Sequence, residues 1–161
     1  MKELILLRHA KSSWDYAVAD RDRVLQEKGI QRIINVATQS AHIFEGVEVV
    51  ISSPAIRALH TATLLVKILQ LPFSLLKVNE TLYTFDAAQL IDFIHQLDDS
   101  HNKVVLVGHN PAFTDVAAHF GDQPEKHLST AAWARIRFEN ADWKTLLKGQ
   151  IQFGIPNELL S

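Results

Sequence analysis

Four short apolar runs, at residues 4–7, 47–51, 74–78 and 104–107, constrain this chain more than any other feature. Each is brief enough for a buried strand, and segments of helical periodicity lie between them. Residues 26–44 carry Ile30, Ile33, Ile34, Ala37 and Ala41 on one helical stripe, and residues 54–69 carry Ile56, Leu59, Ala62, Leu65 and Ile68 on another. Pro54 suits a first helical position, with Ser53 as its cap. Residues 87–97 and 112–120 read as two further helices. Alternation over 132–138, with Trp133, Arg135 and Arg137 set against Ala134, Ile136 and Phe138, predicts a strand at or near a sheet edge. Strands alternating with helices make a mainly parallel sheet covered on both faces, so the expected fold is α/β. We expect a single three-layer α/β/α domain spanning residues 1–161.

Composition removes several function classes. The chain has 161 residues and no cysteine, which excludes disulfides, thiolate metal sites and cysteine nucleophiles. A net charge of −2 does not suggest a nucleic-acid surface. The apolar stretch before Arg8 is too short for a signal peptide or a membrane span, so the reading is a cytoplasmic protein without membrane contact.

In open α/β sheets ligands bind beyond the carboxyl ends of the strands. Arg8 and His9 follow the first predicted strand, and Ser52, Ser53 and then Arg57 follow the second. Glu80 follows the third, and His109, within Gly108-His109-Asn110-Pro111, follows the fourth. Two guanidinium groups define a phosphoryl pocket, because their planar forks of donors match phosphate oxygens. A neutral imidazole is a competent nucleophile for phosphorus once its tautomer is fixed, and His9 or His109 can serve. Phosphoryl transfer needs in-line positioning and charge neutralisation, which these groups supply without a metal or other cofactor. Asp20 and Asp22 resemble the start of an aspartyl-phosphatase motif, but no apolar strand precedes them. His42, His60, His95, His101, His119 and His127 show no metal-ligand spacing.

Three segments resemble the histidine phosphatase superfamily: Leu7-Arg8-His9-Ala10; Ser52-Ser53-Pro54-Ala55-Ile56-Arg57-Ala58-Leu59-His60-Thr61-Ala62; and Val107-Gly108-His109-Asn110-Pro111. The likeness covers most of residues 1–120 and implies the phosphoglycerate mutase-like fold. Arg-His-Ala-Lys-Ser-Ser-Trp and Gly-His-Asn-Pro look like the SixA-like branch of phosphohistidine phosphatases. The resemblance implies that His9 is the nucleophile that becomes phosphorylated and that Arg8, Arg57 and His109 bind the phosphoryl group. It also places Glu80 where many members carry a proton donor. Arg23 resembles the arginine of an Arg-Pro-Leu…Gly motif that helps hold substrate phosphate, with Val24 in the proline's position. Ala10 stands where glycine is commonest, and Asp15 where mutase-like members carry asparagine.

These readings imply a phosphatase that passes the phosphoryl group through His9 to water. Loops between Arg57 and His109 leave little length for a lid, so the cleft is expected to be shallow and open, suited to phosphohistidine on a partner protein. A small phosphorylated molecule is the alternative substrate, and a non-catalytic phosphate-binding module the alternative class. Trp133, Trp143 and Phe153 are expected to pack in the core or at a sheet edge.

Overall fold

The computed structural model describes residues 1–159. Its centre is a six-stranded sheet in the order β3-β2-β4-β1-β5-β6, comprising β1 (Lys2–Arg8), β2 (Val49–Ser52), β3 (Leu76–Val78), β4 (Lys103–Gly108), β5 (Trp133–Phe138) and β6 (Gln150–Gly154). The first four strands pair in parallel, while β5 and β6 add antiparallel ribbons beyond β1. The fold is therefore mixed α/β and mainly parallel, as the sequence predicts.

Helices α1 (Glu27–Gln39) and α2 (Ile56–Ile68) cover one face, and α3 (Ala87–His95) and α4 (Ala112–Phe120) cover the other. A short α5 (Pro156–Leu159) closes the described chain. Because strand side chains alternate, β1 sends Leu4 and Leu6 into one core and Ile5 and Leu7 into the other. The first core meets Leu90 and Ile94 of α3 and Phe113, Val116 and Phe120 of α4; the second meets Ile33 and Val36 of α1 and Leu65 and Val66 of α2. Complete burial of such a side chain contributes roughly 1.5–3 kcal/mol. Burial on both faces explains why β1 and β4 read as unbroken apolar runs rather than alternating ones. Trp133 and Trp143 are both fully buried, and Phe153 is partly buried against the α3–α4 core.

Local boundaries depart from the sequence reading where backbone groups find other partners. Helix α2 begins at Ile56, not at Pro54, and the Ser53 hydroxyl accepts the Ala55 N–H rather than capping the helix. Helix α1 ends at Gln39, and residues Ala41–Phe44 tighten into a 3-10 turn. A 3-10 turn at Phe73–Leu75 likewise takes the beginning of the expected third strand. Strand β5 lies one position inside the sheet, with β6, which the sequence reading omits, at the edge. No helix among the described residues is long and apolar enough to cross a membrane.

Candidate active site

Strand register determines which residues meet. Arg8 of β1 pairs with Gly108 of β4, and Ser52 of β2 pairs with Val107, so three strands end at the same level. Backbone bonds from His9 N–H to the Gly108 carbonyl (3.0 Å) and from Ser53 N–H to the Val107 carbonyl (2.9 Å) extend that alignment one residue further. The His9 and His109 rings consequently lie 5.4 Å apart. Arg57 arrives from the first turn of α2, with its side chain only 2% exposed.

His9 has a defined tautomer. Its Nδ1 lies 2.7 Å from the carbonyl oxygen of Ala10, and a carbonyl can only accept, so Nδ1 carries the proton and Nε2 keeps its lone pair. The Ala10 peptide is held in turn: its N–H donates to the Thr61 hydroxyl at 3.0 Å, which donates to the Arg57 carbonyl at 2.6 Å. Burial is the main cause that lowers the His9 pKa to about 3. The bond to Ala10 opposes this, and the charges of His109, Arg57 and Arg8 add to it. His9 is therefore neutral near pH 7.

His109 is oriented by its neighbours. A guanidinium only donates, so the 3.4 Å contact from Arg57 Nη2 makes Nδ1 the acceptor and leaves the proton on Nε2, which donates to Ser53 Oγ at 2.8 Å. Burial first, then Arg57, depresses its pKa to about 4, with Asp20 pulling in the opposite direction. Arg8 donates through Nη1 to the Leu128 carbonyl at 3.0 Å. Its pKa is lowered by burial and by the nearby charge of Arg57. The Nε atoms of Arg8 and Arg57 are buried without hydrogen-bond partners.

Arg8, His9, Arg23, Arg57 and His109 line one cavity of about 310 Å³. A larger concavity, about 580 Å³, lies along β3 and α3 near Glu48 and His101, with Lys77 as its one Lys or Arg, so size does not identify the site. Glu80 does not join the group. It lies in a 3-10 turn after β3, its side chain is 71% exposed, and it pairs with Arg21. The hydrogen bond from Arg21 is the largest cause holding the Glu80 carboxyl below its usual range.

The segment between β1 and α1 supplies groups that strand-end reasoning does not find. Asp20, in a 3-10 turn at Asp20–Asp22, takes hydrogen bonds from Arg57 Nη2 (3.0 Å), Arg23 Nη1 (3.1 Å) and Tyr83 Oη (2.6 Å). Burial works against its charge, but the bonds from Tyr83 and Arg57 and the charge of Arg57 outweigh it and hold the carboxyl at about 2. Arg23 also donates to the Ser13 carbonyl and the Ser12 hydroxyl, and the exposed Trp14 ring lies over its guanidinium, 3.3 Å from ring centroid to Cζ. Trp14, Asp20 and Phe85 all line the cavity; Trp14 and Asp20 are contributed from before Arg57, and Phe85 from between Arg57 and His109, where little length for a cover was expected. The spacing Asp20-x-x-Arg23, around an arginine already singled out in the sequence, was the available signal. Gly29 explains how α1 reaches this region: a methyl there would stand 2.2 Å from the Lys11 carbonyl, two residues beyond His9.

No group of three or more His, Cys, Asp or Glu side chains among the described residues has the arrangement of a metal site. No curated protein matches the sequence. Among solved structures, the chain is similar to the protein histidine phosphatase SixA complexed with tungstate, with a TM-score of 0.82 and 22% identity, covering 98% of this chain and 99% of that one. It is also similar to a mycobacterial glucosyl-3-phosphoglycerate phosphatase, with a TM-score of 0.68 and 16% identity over 96% and 98% of the two chains. At these identities the likeness establishes the phosphoglycerate mutase-like fold. Residues 4–83 match the histidine phosphatase superfamily (branch 1), a span that contains Arg8, His9 and Arg57, and the chain belongs to that superfamily of phosphatases.

Proposed function

We propose that this protein hydrolyses phosphohistidine on a partner protein, through a covalent phospho-His9 intermediate and without a metal. The carrying observation is the bond from His9 Nδ1–H to the Ala10 carbonyl, which leaves Nε2 unprotonated beside Arg8, Arg57 and His109. In the first step Nε2 attacks phosphorus, the bond from phosphorus to the departing nitrogen breaks, and the departing imidazole retains its electron pair. The His9 ring gains positive charge as the new bond forms, and the Ala10 carbonyl stabilises it through Nδ1–H. Arg8 and Arg57 bind the equatorial oxygens, and His109 joins them when its Nδ1, the acceptor from Arg57 in the free protein, takes up a proton beside the phosphoryl dianion; the unpaired Nε–H groups of the two arginines are donors such an anion would satisfy. In the second step water attacks phospho-His9, releases phosphate and restores the neutral ring.

The leaving group decides between substrate classes. An alkoxide from a sugar phosphate needs a protonated acid beside it, whereas an imidazole depends on one far less. Glu80 lies outside the cavity, and Asp20 inside it stays ionised at ordinary pH. The similarity to a protein histidine phosphatase supports the same choice. The test is incubation with a phosphohistidine-bearing protein and with sugar phosphates, each labelled. We expect acid-labile label on His9, its loss in His9→Ala, and higher kcat/KM on the protein substrate. Label elsewhere, or full turnover by His9→Ala, would refute the chemistry; preference for the sugar phosphate would refute the substrate class.

A further inference from the structure

We propose that the Asp20 carboxylate is an intramolecular stand-in for a phosphoryl oxygen: it holds the anion position of the pocket in the free protein and yields it to substrate, and so sets how weakly the site retains phosphate. The inference rests on reading the pocket as a phosphoryl site. Its support is geometric. Asp20 engages two of the three arginines that line the cavity, with Oδ2 accepting from Arg57 at 3.0 Å and Oδ1 from Arg23 at 3.1 Å. Its backbone carbonyl accepts from the other Arg57 terminal nitrogen at 2.6 Å. Both terminal nitrogens of Arg57, the donors a planar fork offers to phosphate, are thus engaged by one residue of the same chain.

Exposure is unevenly divided between these partners. The Arg57 side chain is 2% exposed, while that of Asp20 is 43% exposed, so the cation is fixed and the anion reaches it from the solvent side. A phosphoryl dianion placed on Arg57 would meet the carboxylate at close range, where like charges repel. The Asp20 side chain has to leave for such a ligand to bind. The segment that carries it is tied, outside the cavity, to the chain after β3 by the Tyr83 hydroxyl on the carboxylate and by the Arg21–Glu80 pair, which return it when the pocket empties. Glu80 then belongs to the fastening of this segment.

Two effects follow for the reaction. Inorganic phosphate left after hydrolysis competes with a tethered carboxylate for the same arginines, which speeds its release. A bare phosphate ion also binds poorly from solution, whereas a phosphorylated protein brings further contacts with the rim that offset the displacement of Asp20.

The test is calorimetric titration of the full-length protein with inorganic phosphate, comparing wild type with Asp20→Asn, which keeps the shape and removes the charge. We expect phosphate to bind the variant roughly tenfold tighter or more, and to inhibit its turnover correspondingly more strongly. Unchanged or weaker phosphate affinity in the folded variant overturns the proposal, including the case in which kcat falls while phosphate affinity stays the same, as a proton-transfer role would require. Should Asp20→Asn not fold, Tyr83→Phe, which releases one tether of the carboxylate, is judged by the same criterion. Labelling of His9 is scored separately. Tighter phosphate binding without label would sustain the stand-in and refute the catalytic reading, and label with unaltered phosphate affinity would do the reverse.

Discussion

Acidification should destabilise this protein well before its carboxylates titrate, because the fold buries two neutral imidazoles together. His9 and His109 have pKa values lowered to about 3 and about 4, against roughly 6.5 in an unfolded chain. Both folded values lie below the unfolded one, so the unfolded state binds more protons throughout the interval. Stability is complete above about pH 6.5 and declines as the pH falls toward the folded values. At pH 5 an unfolded imidazole is almost fully protonated while the buried one is not, a difference of about 2 kcal/mol for each ring. Together the two rings remove about 4 kcal/mol between pH 7 and pH 5, a large share of the 5–15 kcal/mol typical of a domain. Asp20, held at about 2, contributes nothing in this window, since its own loss begins only as carboxylates protonate. The assay is urea unfolding at pH 7 and pH 5 of the wild type and of the double variant His9→Gln/His109→Gln. The wild type should lose about 4 kcal/mol more than the variant on acidification. A differential below about 1 kcal/mol would refute the argument that both rings are buried and neutral.

Two further outcomes can be read from variants near the site. Glu80→Gln should change turnover by less than about threefold, because an acid placed at the reacting atoms is worth 10²–10⁴ in rate and Glu80 is ionised, exposed and turned toward Arg21; a hundredfold loss in steady-state kcat would contradict this. Thr61→Val should lower stability by about 1–3 kcal/mol in urea unfolding, since it leaves the buried Ala10 N–H without its partner. It should also reduce kcat by about tenfold or more as the peptide that fixes His9 drifts, and normal turnover would show that Thr61 does not hold His9 in place.

Much of the site was legible because a parallel sheet brings the carboxyl ends of its strands to one edge. Arg8, His9, Ser53 and His109 each stand one or two positions beyond an apolar run, so finding the runs was nearly enough to find the cluster. Arg57 was legible through the helix that follows Ser53. Of the groups carried by irregular backbone, Arg23 was legible only through the family resemblance, and Asp20 was not recognised as part of the site. Asp20 meets Tyr83 across 63 residues of chain, and neither periodicity nor strand context marks a 3-10 turn. Glu80 does follow its strand, but Arg21 and its solvent exposure draw it away from the cavity. Strand β6 escaped notice because Gln150–Gly154 offers two apolar side chains and owes its conformation to pairing with β5. Ser53 looked like a helix cap, and its hydroxyl instead serves His109, a use apparent only once β2 and β4 lie side by side.

The position of β1 in the sheet has a consequence for how the protein is made. Its neighbours are β4, beginning at Lys103, and β5, beginning at Trp133, so the strand leading to His9 has no partner on either edge until most of the described chain has been synthesised. Until then a strand whose residues 4–7 are all apolar has two open edges available for pairing with other chains, which is the usual route to aggregation of slow, long-range sheets. The strand that leads to His9 is translated before the rest of the sheet and becomes secure only when the last third of the fold closes against it.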